Sequence, residues 1–202
     1  MPVTAQRKHW GGATRPYWLI AALACTLLWS GAVQAAEARV LLLRGWFGVF
    51  SAGMDSLAGQ LRARGVPAQA IGHLSWRAQV AGIVRDKAAG RVGPIVLAGH
   101  SQGANNVIDM ARLLKGHGIQ VDLLVTLAPF NQDAVPSNVL RAVNYYQSPG
   151  WGAPLGGEAG FRGSLNNVNL GTDSSVSHIT IDKSERVQAD MLRQISAVAR
   201  SR

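Results

Sequence analysis

The segment that most constrains this chain is the run Pro94-Ile95-Val96-Leu97-Ala98, which leads straight into Gly99-His100-Ser101-Gln102-Gly103. The run has no polar side chain, so as a strand it needs cover on both faces, the signature of a central strand in a parallel sheet. Ala104, Val107, Ile108, Ala111 and Leu114 then recur at helical spacing until Gly116 and Gly118 stop the helix. A buried strand that turns sharply into a helix through Gly-x-Ser-x-Gly lets the backbone crowd together and exposes the serine hydroxyl. The helix N-terminus aimed at that point favours a developing negative charge.

The rest of the chain alternates in the same way. Arg39 to Arg44 reads as a buried strand ending at Gly45, and Ser51 as the cap of a helix with Met54, Leu57, Ala58 and Leu61 inward. Ala68 to Ile71 reads as a weaker strand. Ser75 caps a second helix, with Val80, Ile83 and Val84 inward. Further strands are expected at Val121–Leu127, Val139–Tyr146 and Asn167–Leu170. A last helix starts near Asp182 as its cap, with Val187, Met191, Leu192 and Ile195 inward. This order predicts an α/β chain: a three-layer α/β/α sandwich on a mostly parallel sheet. The Gly- and Pro-rich stretch Ser148–Gly163 is expected to be a loop on the functional side.

The N-terminus is built differently. Arg7, Lys8 and Arg15 precede the uncharged run Tyr17–Trp29, and Val33-Gln34-Ala35 supplies a small-x-small ending. The run is short for a span of about 20 residues and fits a cleavable secretory signal peptide. The expected division is residues 1–35 as signal peptide and 36–202 as one domain, with a periplasmic or secreted mature protein. Removal of three cations and no acid lowers the formal charge from +9 to +6, and it also removes Cys25, the only cysteine. A cysteine-free chain suits an oxidising compartment. No Cys/His cluster has zinc spacing, and no metal or cofactor is expected. The cations are scattered and do not alternate with aromatics, so nucleic-acid binding is not expected. A weak attraction to an anionic membrane surface is compatible with the charge. Nothing in the sequence specifies an oligomeric state.

Gly99-His100-Ser101-Gln102-Gly103 resembles the nucleophile elbow of the α/β-hydrolase superfamily, and the order of strands and helices fits across the mature chain. The chain is most similar to small bacterial exported lipase- or thioesterase-like serine hydrolases. The resemblance implies Ser101 as nucleophile, followed in the chain by an acid and then a histidine. Of the later histidines, His117 falls at the wrong edge of the sheet, whereas His178 lies between the last strand and the last helix, where the base belongs. His73 is expected to be a pocket wall, and His100 to point away from the nucleophile. The acid departs from the common pattern, because Gln147-Ser148-Pro149-Gly150 follows the usual strand. Asp133 is the favoured acid, with Asp173 and Glu158 as alternatives. The resemblance also implies an oxyanion hole from the backbone N–H of Gln102 and of Trp46 or Phe47.

These residues would cleave small carboxylic esters or thioesters through an acyl-enzyme on Ser101, without a lid over the site. Trp46, Phe47, Phe50, Phe130 and Trp151 are candidates for an apolar acyl groove. Amide hydrolysis or acyl transfer would use the same residues. The alternative from another class is an inactive hydrolase-fold module that binds or assembles in the cell envelope.

Overall fold

A computed structural model describes residues 1–4, 36–46, 48 and 51–201. Most of the expected signal peptide, residues 5–35, lies outside the described residues, as do Phe47 and Phe50. The compact unit spans Ala35–Arg202.

Six strands form one sheet: β1 (Glu37–Leu43), β2 (Ala68–Ile71), β3 (Val92–His100), β4 (Leu123–Leu127), β5 (Arg141–Tyr146) and β6 (Ser164–Asn169). Their spatial order is β2-β1-β3-β4-β5-β6, and every neighbouring pair is parallel. The helices are α1 (Ala52–Ala63), α2 (Trp76–Ala88), α3 (Gln102–Gly116) and α4 (Glu185–Arg200). Parallel neighbours need crossovers; α1, α2 and α3 supply those that link β1, β2, β3 and β4 in turn, whereas β4 to β5 and β5 to β6 cross over through loops, and α4 follows the last strand.

The alternation of side chains along the central strands divides the core into two layers. Val40 and Leu42 of β1, with Val96 and Ala98 of β3, pack with Met54, Leu57 and Leu61 of α1 and Val187, Met191 and Ile195 of α4. Leu41, Leu43, Ile95 and Leu97 face the other way, against Val80 and Ile83 of α2 and Val107, Ile108, Ala111 and Leu114 of α3. This is the expected α/β/α sandwich. The strand ends shift only slightly: Val121 and Val139 form a separate bridge ahead of β4 and β5, and the last strand starts earlier, at Ser164.

Three capping expectations are corrected. Ser75 precedes α2, but its hydroxyl donates to the Gly72 carbonyl at 2.8 Å and makes no cap bond. Ser51 does precede α1, but its hydroxyl makes no cap bond there; it is buried and turned toward His100 and Gly45. Asp182 does not cap α4, which follows Ser184. Its Oδ2 instead accepts the Gly53 N–H at 2.8 Å, so it serves the first turn of α1, far away in the chain. A carboxylate is favourable at that end of a helix.

Candidate active site

The site forms where the carboxyl ends of β1, β3 and β4 meet. At the end of β3, Ser101 has φ 58° and ψ −124°, a backbone conformation that costs a non-glycine residue roughly 1–3 kcal/mol. The flanking glycines make this turn sterically feasible. A Cβ on Gly99 would stand 2.2 Å from the Gly103 carbonyl oxygen, and one on Gly103 would stand 2.5 Å from the Leu43 oxygen. The Ser101 N–H donates to the Leu127 carbonyl at 2.9 Å, tying the turn to β4.

The turn aims the hydroxyl at a histidine. His178 Nε2 and Ser101 Oγ are 3.0 Å apart, and the ring comes from the segment between β6 and α4. That segment is held on several sides. Gln147, just after β5, donates its side-chain amide to the Val176 carbonyl at 2.7 Å. Ser177 and Thr180 bond to each other through hydroxyl and backbone. His100 Nε2 lies 2.7 Å from the His178 carbonyl oxygen. Burial, and then the neighbouring His100 ring, push the His178 pKa down to about 4, and no carboxylate contributes.

The three candidate acids lie elsewhere. Asp133 accepts from Asn105 Nδ2 at 2.7 Å, and Asn105 in turn fixes the Phe130–Asn131 turn by accepting the Phe130 N–H at 2.9 Å. Asp133 therefore braces a loop against α3 instead of reaching the imidazole. Glu158 is paired with Lys115 and accepts the Ser137 N–H at 2.7 Å; these bonds hold its carboxyl down at about 2. Asp173 is half-buried and closes a local turn by accepting from the Ser175 N–H and hydroxyl. Meanwhile His178 Nδ1 is buried and has no hydrogen-bond partner among the described residues. The structure thus brings Ser101 and His178 together and brings none of Asp133, Glu158 or Asp173 to the far ring nitrogen.

Of the expected oxyanion donors, Gln102 opens α3 directly after Ser101. The Gly45–Trp46 turn also lies beside the nucleophile: a Cβ on Gly45 would come within 2.9 Å of the Ser101 Cβ. Phe47 lies outside the described residues. His117 ends α3, away from this edge. His73 lines an apolar cavity with Gly45, Trp46 and Leu74.

Sequence reasoning missed the role of His100 and Ser51. It also missed a buried polar ladder that carries the loop bearing Trp151. Thr126 Oγ1 donates to Asn144 Oδ1 at 2.9 Å, and Asn144 Nδ2 donates to the Ala153 carbonyl at 2.8 Å and to Asn167 Oδ1 at 2.9 Å. The available signal was Asn144, an amide among the buried positions Ala142, Val143 and Tyr145 of its strand. Trp151 lies against His178 with ring centroids 4.3 Å apart, Phe130 lies 5.6 Å from the same ring, and Trp46 lies 5.7 Å from Phe130.

No family model matches the chain, and no curated protein matches it. Among solved structures, the chain is similar to a protein of the alpha/beta hydrolase superfamily from Xanthomonas campestris, with 17% identity, 78% of this chain and 99% of that chain covered, and a TM-score of 0.43. It is similar to the type II thioesterase BorB from the borrelidin biosynthetic cluster, with 11% identity, 80% and 95% covered, and a TM-score of 0.49. It is also similar to the RedJ thioesterase of the prodiginine pathway in Streptomyces coelicolor, with 10% identity, 81% and 91% covered, and a TM-score of 0.46. The chain's own side chains, not these likenesses, carry the functional reading.

Proposed function

We propose that this chain is a serine hydrolase that cleaves carboxylic esters or thioesters through an acyl-enzyme on Ser101. One observation carries the reading: a serine held at φ 58° at a strand-to-helix turn, with its hydroxyl 3.0 Å from the Nε2 of His178. That strained conformation presents the oxygen to a base.

In this mechanism His178 Nε2 takes the Ser101 proton as Oγ attacks the acyl carbonyl. The negative oxygen is met by the Gln102 N–H and by the N–H of Trp46 or Phe47, the Gly45 N–H being engaged by Ser51. His178 then gives the proton to the departing alcohol or thiol as its bond to the acyl carbon breaks. Water repeats the sequence and releases the acid. Half-buried His178, its pKa pushed down to about 4, is neutral at pH 7, which is the form a base needs. The imidazole is steered through its backbone and its packing against Trp151, with no carboxylate on Nδ1 among the described residues.

A fluorophosphonate probe tests this directly. Wild-type protein should acquire one label, on Ser101, and Ser101→Ala should acquire none. Wild-type protein that resists the probe would overturn the hydrolase and favour the binding-module alternative. Export is a separate part of the proposal, supported by the charge and apolar pattern of residues 1–35. It is tested by sequencing the N-terminus of exported protein, which should begin near Ala36.

A further inference from the structure

Resting on that hydrolase reading, we infer that the acyl part of the substrate is an apolar chain. It lies across Gly45 into the cavity between the carboxyl ends of β1 and β2, and the leaving group departs on the opposite, His178–Trp151 side.

The direction follows from the proton's path. His178 must protonate the leaving atom, so that atom sits beside the imidazole, next to Trp151 and Phe130. The aromatic rings form an arc from His178 through Phe130 to Trp46. Trp46, at the end away from His178, is also a wall of the cavity. The Gly45 backbone separates that cavity from the nucleophile, and a Cβ there would approach Ser101 Cβ to 2.9 Å. An acyl chain leaving the reacting carbonyl over Gly45 therefore enters the cavity without a detour.

The lining sets the chemistry. The cavity is about 670 Å³ and almost wholly apolar, within the range of roughly 300–1,000 Å³ usual for ligand sites. Leu74 is 85% exposed and Trp46 54% exposed, so large apolar surfaces face this space uncovered by the described residues. Arg44, the one lysine or arginine at its wall among the described residues, is tied to Asp55 by Nε at 2.8 Å and by its terminal nitrogen. That pairing leaves little to hold a carboxylate or phosphate, whereas a hydrocarbon chain would gain by displacing water.

The test is a series of p-nitrophenyl esters from acetate to octanoate. In the wild type, kcat/KM should rise with chain length, by up to about fourfold per methylene buried. Gly72 sits at the cavity wall with φ −71° and ψ 148°, and a Cβ on it meets nothing within 4 Å. Gly72→Leu should therefore fold normally and fill the space. It should lower octanoate turnover at least about tenfold and leave acetate nearly unchanged. Leu74→Asp, which charges the wall without filling it, should do the same. If either variant lowers both esters in parallel, or leaves their ratio as in the wild type, the inference is overturned while the hydrolase reading stands. If wild-type protein cleaves no ester and takes no fluorophosphonate, both fall.

Discussion

The His100 ring donates from Nε2 to the backbone carbonyl of His178 at 2.7 Å. A carbonyl only accepts, so Nε2 carries the proton, and Nδ1 must accept from the Ser51 hydroxyl 2.8 Å away. Ser51 Oγ accepts in turn from the Gly45 N–H at 2.9 Å. One buried chain of hydrogen bonds thus links the turn beside the nucleophile to the segment that carries the base. Burial lowers the His100 pKa and so favours the neutral ring that this pattern requires.

Ser51→Ala breaks the chain in the middle and leaves the Gly45 N–H and His100 Nδ1 buried without partners. Stability should fall by about 1–3 kcal/mol. If Ser51 and His100 position the two halves of the site, kcat should fall on the order of 10- to 100-fold with little change in KM. Steady-state kinetics well below the melting temperature check this. An unchanged kcat in a destabilised variant would reduce the chain to a purely structural role.

The acid limb of kcat/KM should lie near pH 4 to 5. The neutral imidazole is the active form, and burial drives the His178 pKa down to about 4 from 6.5. Activity should therefore persist as pH falls from 7 to 5 and be lost only below that. A carboxylate on Nδ1 would favour the charged ring and move the limb upward. A pH–rate profile with its limb at 6.5 or above would show that such a partner reaches His178 in solution.

Asp133→Asn should leave kcat within about tenfold of wild type, because an Asn oxygen can keep the bond from Asn105. The triad template loses about 10⁴-fold when its acid is changed to the amide, so the two outcomes are well separated. Asn105→Ala should do more harm, since it releases Asp133 and also the Phe130 N–H. Comparing kcat for the two variants on a short ester decides the matter.

Asp182 should make folding stability fall as pH rises. The side chain is buried, one oxygen has no partner among the described residues, and burial raises its pKa to about 6 despite the Gly53 N–H. A carboxyl whose folded pKa exceeds its unfolded value favours the folded state below that unfolded value. The advantage is lost as pH climbs through about 6. His178 acts in the opposite direction, since its lowered pKa makes stability fall as pH drops from 6.5 toward 4. Thermal unfolding from pH 4 to 8 should show a loss above pH 4 that Asp182→Asn flattens.

Much of the architecture follows from local pattern. The uninterrupted run Ile95–Ala98 needs cover on both faces, and the periodic apolar residues from Ala104 to Leu114 provide one of those covers. Such patterns are set by residues close in the chain, so they can be read without coordinates. The same holds for the strained turn at Ser101, because Gly99 and Gly103 lie within two residues of it.

Which carboxylate meets which partner was decided only by tertiary packing. Asp133 and His178 are 45 positions apart, and nothing local distinguishes a bond to the imidazole from one to Asn105. Asp182 resembles the cap of the helix just after it, yet its carboxylate accepts the N–H of Gly53 in α1, 129 positions away in the chain. Ser51 has the sequence of a cap but bonds His100, 49 positions away. A hydroxyl or carboxylate has several acceptable partners of similar strength, and the partner it takes is the one that the burial of the apolar layers leaves within about 3 Å.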